Sequence, residues 1–100
     1  MVKRRFAPVH PGVVLAEDYL KPMKITPGEL AKRMGVPPGR IEGIVNGNSG
    51  ITADTALRLG RFFAMEAQAW MNLQSIYDLE VAKEALAGKL EHQVEVLKTA

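Results

Sequence analysis

The chain has 100 residues, 47% apolar and 24% charged, with a formal net charge of +2. That is room for one domain whose folding hides roughly two-thirds of its unfolded surface. There is no cysteine, which excludes disulfide scaffolds, thiolate zinc sites and thiol nucleophiles.

No apolar run approaches the roughly 18 residues that a membrane span needs. The basic start (Lys3, Arg4, Arg5) is followed by Pro8, His10, Pro11 and Gly12, so no secretory signal is expected and the expected location is the cytoplasm. Charge is uneven. Residues 1–61 carry ten Lys/Arg and five Asp/Glu, whereas residues 62–100 carry three and six. A basic front and acidic rear suit one face turned to a polyanion, and they equally suit a solvated surface.

The spacing predicts five helices, with almost no strand alternation. The first runs over 13–20, with Val14, Leu15 and Tyr19 on one face. The second opens at Thr26: an N-cap, then Pro27 at the first helical position, then Glu29 to complete a capping box. Gly35 ends it after two turns. The third starts at Pro38 and stops near Asn46, before Gly47. Thr52 caps the fourth, with Asp54 in its first turn, where negative charge meets the positive end of the helix dipole. That helix turns Ala56, Leu59, Phe62 and Phe63 inward. The fifth covers about 67–87, with Trp70, Leu73 and Tyr77 along one face. For the tail, Leu90, Val94 and Leu97 fit a helix, whereas His92, Val94 and Val96 fit a strand. The expected parts are a basic arm (1–9), a helical domain (10–87) and a peripheral tail (88–100).

Residues 27–46 carry the most specific pattern. Two helices that cross steeply through a short turn approach each other closely at one point, which demands a small residue. Ala31 is that residue. Gly35 tolerates the left-handed backbone of the turn. Leu30, Met34, Val36, Ile41 and Ile44 then face the core. This is the spacing of a helix-turn-helix, whose second helix enters the DNA major groove. A plain helical hairpin would share part of the pattern.

The outward set is Thr26, Pro38, Gly39, Arg40, Glu42, Gly43, Asn46, Asn48, Ser49 and Thr52, all candidate DNA-contacting positions. Pro37, Pro38, Gly39 and Gly43 offer no side-chain donor, and Glu42 only accepts. Base reading therefore falls to Arg40 and Asn46, with Glu42 suited to a cytosine amino group. Thr26, Arg40, Asn48, Ser49 and Thr52 are the phosphate candidates, so backbone contacts and DNA shape carry much of the binding.

The segments His10-Pro11-Gly12, Leu30-Ala31, Gly35-Val36-Pro37-Pro38, Arg40-Ile41, Ile44-Val45-Asn46-Gly47 and the run from Gly50 to Leu59 resemble the HigA/VapI antitoxins. These belong to the phage-repressor-like (XRE) class. Trp70, Asn72-Leu73-Gln74 and Tyr77-Asp78-Leu79 extend the resemblance, which covers about residues 8–82. It implies an all-α, five-helix phage-repressor-like domain with a central helix-turn-helix. It also implies a homodimer that represses its own operator and a complex with a RelE-like (HigB-type) ribonuclease toxin.

Nothing in the sequence suggests an enzyme, a cofactor, a metal site or a membrane partner. His10 and His92 lack a histidine partner at helical spacing, and surface or capping use fits them better than metal ligation. Glu17 and Asp18 are adjacent and point apart. The aromatic residues Phe62, Phe63, Trp70 and Tyr77 read as core rather than as a binding patch. Arg58 and Arg61 share a face that could meet phosphate or the fifth helix. Two other functions remain open: a repressor-like regulator with no toxin, and a helical adaptor that binds only protein. A neighbouring frame encoding a small RelE-like protein would favour the antitoxin. A salt-dependent shift of the protein's own upstream DNA would exclude the adaptor.

Overall fold

The computed structural model describes residues 7–98, so the basic residues Lys3, Arg4 and Arg5 lie outside the described residues. Among those described, all regular structure is helical. α1 is one continuous rod: Pro11–Val14 is α-helical, Leu15–Leu20 is wound as a π-helix, and Lys21–Met23 returns to α. α2 spans Pro27–Met34, α3 Pro38–Val45, α4 Ala53–Phe63, α5 Ala67–Ala85 and α6 Leu90–Gln93.

α1 starts two residues before its expected beginning and continues past its expected end. His10 is its N-cap: its Nδ1 accepts from the Gly12 N–H at 2.9 Å, and Pro11 takes the first helical position. The wide turns stand just before Pro22, whose ring would meet the carbonyl of Asp18 in a regular α-helix. Local widening lets the rod pass the proline rather than stop at it.

Three helices end in the same way. After α2, Gly35 is left-handed (φ 74°); its N–H donates to Lys32 O and the Val36 N–H to Ala31 O. Lys24 (φ 57°) and Ala64 (φ 56°) close α1 and α4 with the same pair of bonds. Only Gly35 carries a side-chain signal for this motif. At Lys24 and Ala64, tertiary packing imposes a conformation that L residues usually avoid.

The capping box of α2 forms as expected. Thr26 Oγ1 accepts from the Glu29 N–H at 3.1 Å, and the Thr26 N–H donates to Glu29 Oε1 at 3.0 Å. The bonds from Thr26, backbone first, hold the Glu29 carboxyl below its ordinary pKa.

The core is Leu15, Leu20, Leu30, Ala31, Met34, Val36, Ile41, Ile44, Ile51, Ala56, Leu59 and Trp70. Every apolar residue assigned to the helix-turn-helix packing lies in it. Trp70 is fully buried at its base, and Tyr19, Phe62 and Phe63 pack around it with neighbouring ring centroids 4.9–6.2 Å apart. Its indole N–H finds no acceptor among the described residues.

The C-terminal end departs from the expected outline. α5 stops at Ala85, Gly88 turns the chain (φ 79°), and α6 is a single turn before Val94 becomes extended. The tail is thus helix first and extended second. Residues 78–98 are all exposed.

α1 meets the end of α3 at Gly12. A Cβ built there would lie 1.8 Å from the Ile44 carbonyl oxygen, a backbone atom that cannot step aside. Gly12→Ala should lower stability by about 1–3 kcal/mol through overpacking. Gly28→Ala, which opens onto empty space, should lose none. Thermal unfolding of the two variants tests this.

Candidate nucleic-acid interface

The buried half of α3 fixes what its other half presents. Ile41 and Ile44 are fully enclosed, so Arg40, Glu42 and Asn46 emerge on the opposite side and are exposed. Pro38 and Gly39, at the start of α3, are exposed too. Asn48, Ser49 and Thr52 form an exposed shoulder between α3 and α4, and Thr26 is exposed at the start of α2. Nine of the ten outward candidates therefore reach solvent. The exception is Gly43, which is half-buried. A Cβ there would sit 2.8 Å from Ser49 Oγ, and its carbonyl accepts from the Asn48 and Ser49 N–H groups at 2.8 and 3.1 Å. Its missing side chain lets the shoulder fold back onto α3.

Gln74, on α5, secures the other end of this shoulder. Its Oε1 accepts from the Ile51 N–H at 2.6 Å, and its Nε2 donates to Asp78 Oδ1 at 3.0 Å. In the sequence Gln74 stood out only through the family resemblance. The contact spans 23 residues and leaves no local signal.

The two capping threonines differ. Thr52 Oγ1 accepts from the Thr55 N–H and donates to Thr55 Oγ1, both at 3.3 Å. Thr26 Oγ1 accepts from the Glu29 N–H and faces the Glu29 carboxylate in return, where Thr52 faces a second hydroxyl.

Arg40 is not free. Its Nη1 donates to Asp54 Oδ1 at 2.7 Å. The same oxygen accepts from Arg58 Nε at 2.8 Å, and Arg58 Nη1 donates to the Met34 carbonyl, the last of α2, at 2.8 Å. Arg58 thus meets the helix-turn-helix turn, which neither sequence reading of it anticipated. Arg61 lies with Arg33, Met34, Arg58 and Phe62 along a cleft of about 400 Å³ behind that turn. The Asp54–Arg58 spacing of four was visible in the sequence, whereas the link from Arg40 to Asp54 spans 14 residues.

His10, besides capping α1, packs edge-on to Tyr77 with centroids 4.9 Å apart. Among the described residues, no His/Cys/Asp/Glu group could hold a metal ion, and no helix is long and apolar enough to cross a membrane.

A steep pair of short helices with a small residue at the crossing, the second exposing a polar face, defines a helix-turn-helix DNA-binding domain. The helix-turn-helix family (HTH_3) matches residues 17–70. Virulence-associated protein I of Dichelobacter nodosus is 50% identical over 82 residues, covering 82% of this chain and 76% of that protein. Antitoxin HigA-1 of Vibrio cholerae is 34% identical over 79 residues, covering 79% and 74%. The Pseudomonas aeruginosa antitoxin HigA, solved with the higBA promoter, superposes with a TM-score of 0.88 at 43% identity, covering 91% of this chain and 99% of that one. The chain belongs to the helix-turn-helix family and, within it, to the HigA antitoxin group. This is a class of DNA-binding, non-enzymatic proteins.

Two guanidiniums on one carboxylate stabilise its charged form. Arg58 first, then Arg40, holds the Asp54 pKa below its ordinary value. The sign follows from linkage: the contribution to stability is complete above the ordinary carboxylate value and is lost as pH falls through the lower folded value. An NMR titration of the Asp54 carboxyl carbon should give a midpoint below 3.8. In Arg58→Ala the midpoint should move upward.

Proposed function

We propose that this chain is an autoregulating antitoxin acting in the cytoplasm. As a two-fold dimer it binds its own operator, and it binds and neutralises a RelE-like ribonuclease toxin of the HigB type. The observation that carries the DNA half is the outward side of α3. It is polar and uncovered, and Ala31 and Gly35 set it against α2 at the spacing that groove reading requires. A relative with 43% identity solved with promoter DNA supports the same reading. The toxin half rests on the naming of relatives as antitoxins.

In this reading Arg40 and Asn46 meet base edges, and Glu42 can accept from a cytosine amino group. Thr26, Asn48, Ser49 and Thr52 hold the backbone, together with the N–H groups at the start of α2. Pro38 and Gly39 let the start of the helix sit close to the duplex because nothing long projects there, and Gly43 serves indirectly by letting the shoulder lie against α3. The parts are the arm (1–9), the domain (10–87) and the tail (88–100).

The C-terminal end supports the dimer. Leu79, Leu90, Val94, Val96 and Leu97 are 49–83% exposed. Leu79, Leu86 and Leu90 line an apolar groove of about 300 Å³ with Ala82 and Ala87. The radius of gyration is 17.1 Å, against about 13 Å for a compact chain of this length. The far half of α5 and the tail thus extend from the core with their apolar residues uncovered, which a second copy would bury.

Arg40→Ala should weaken binding to the protein's own upstream DNA by about tenfold or more at fixed salt, the cost of one good base contact. An unchanged gel-shift midpoint would remove Arg40 from the interface. In sedimentation the chain should be a dimer at micromolar concentration, and Leu79→Asp with Leu90→Asp should make it a monomer. Two-fold recognition helices should then sit about 34 Å apart or a multiple of that. Co-expression with a RelE-like toxin encoded beside it should yield a stable complex and relieve growth arrest.

A further inference from the structure

We infer that Asp54 is a specificity-determining residue: it positions the Arg40 guanidinium for base reading and suppresses binding to unrelated sequence. The inference rests on the reading of Arg40 as a base-contacting residue and goes one step behind it.

Three links carry it. The Met34 carbonyl, at the end of α2, holds Arg58 Nη1 at 2.8 Å. Arg58 Nε holds Asp54 Oδ1 at 2.8 Å. Asp54 Oδ1 holds Arg40 Nη1 at 2.7 Å. The relay therefore starts at the turn that fixes the two DNA-binding helices and ends on a side chain of the second. Each member is partly exposed, with side chains 39%, 56% and 42% accessible for Arg40, Asp54 and Arg58. Partial exposure leaves room for a duplex to approach.

A guanidinium has five N–H donors in a planar fork. Asp54 engages one of them, at Nη1. The Nε–Nη2 edge makes no hydrogen bond among the described residues. That edge is a two-donor pair, the geometry that recognises guanine O6 and N7. A free arginine must give up rotamer freedom when it binds, whereas one already held in place gives up less. Arg58 matters for the same reason. An aspartate anchored on one side is a firmer support than one swinging in solvent.

The charge acts alongside, on every sequence alike, and leaves the discrimination to the oriented fork. Two arginines near a phosphate backbone would attract any DNA, because phosphate attraction carries no sequence information. A carboxylate shared between them cancels part of that attraction on every sequence. On the correct operator, base contacts made by the oriented fork restore the affinity. On unrelated DNA nothing does.

The test is a double-mutant cycle on the full chain. Binding is measured to its own upstream duplex and to an unrelated duplex of equal length, over a series of salt concentrations. The readout is the ratio of the two affinities. Asp54→Ala should lower that ratio about two- to tenfold, the ordering cost of one long side chain, while binding to unrelated DNA rises. Asp54→Asn, which keeps the shape and an uncharged acceptor, should give a smaller drop and serves if the alanine variant does not fold. In an Arg40→Ala background the same substitutions should leave the ratio unchanged. If Asp54→Ala strengthens binding to both duplexes equally, the residue acts only through charge and the inference is overturned. A ratio that falls equally with and without Arg40 overturns it as well, because the effect would then bypass Arg40. If Arg40→Ala alone leaves the ratio intact, the underlying assignment of Arg40 has failed, an outcome distinct from the other two.

Discussion

The contact between α2 and α3 is the constraint on which the rest depends. Ala31 is fully buried where the two helices meet, and Gly35 reverses the chain in a left-handed conformation. With the turn closed, Val36 falls into the core and Ile41 and Ile44 follow it at helical spacing. Everything polar on α3 is then forced to the other side. The core thus decides which residues of α3 cannot be inside, and those are the ones the proposed DNA reading uses.

The surrounding elements serve that contact. α1 presses on the end of α3 through the empty side of Gly12. Gln74 and the Gly43 carbonyl hold the shoulder between α3 and α4 at its two ends. Arg58 closes the remaining side by capping the last carbonyl of α2. Each is a single polar bond or close approach, worth little alone in exposed surroundings. Together they leave the reading face little freedom to move. The chain makes a rigid presenting surface from helices too short to be stable by themselves.

The C-terminal end follows a different logic. Between residues 11 and 70 most large apolar side chains find the core or pack against it, Leu57 and Met23 being exposed exceptions, and Trp70 is fully buried at its base. Beyond about residue 78 they do not, and leucines and valines remain exposed along α5 and the tail. These uncovered side chains are the ones the proposed dimer would bury.

Much of this was legible in the residues. The capping box at Thr26, the turn at Gly35 and the inward set from Leu30 to Ile44 are local signals, written within four residues of where they act. The sequence by itself therefore determined the all-helical class, the helix-turn-helix and its outward face. It misjudged α1, because Pro11 and Gly12 read as a break and Pro22 as a stop. A cap from His10 and a widened turn make all three part of a helix. Lys24 and Ala64, left-handed without being glycine, carried no signal. The Arg40–Asp54 pair, the Gln74 latch and the close approach at Gly12 were invisible for one reason. Each joins residues 14 to 32 positions apart, and which side chains meet at such separations is set by how the helices cross. Only the tertiary structure decided that.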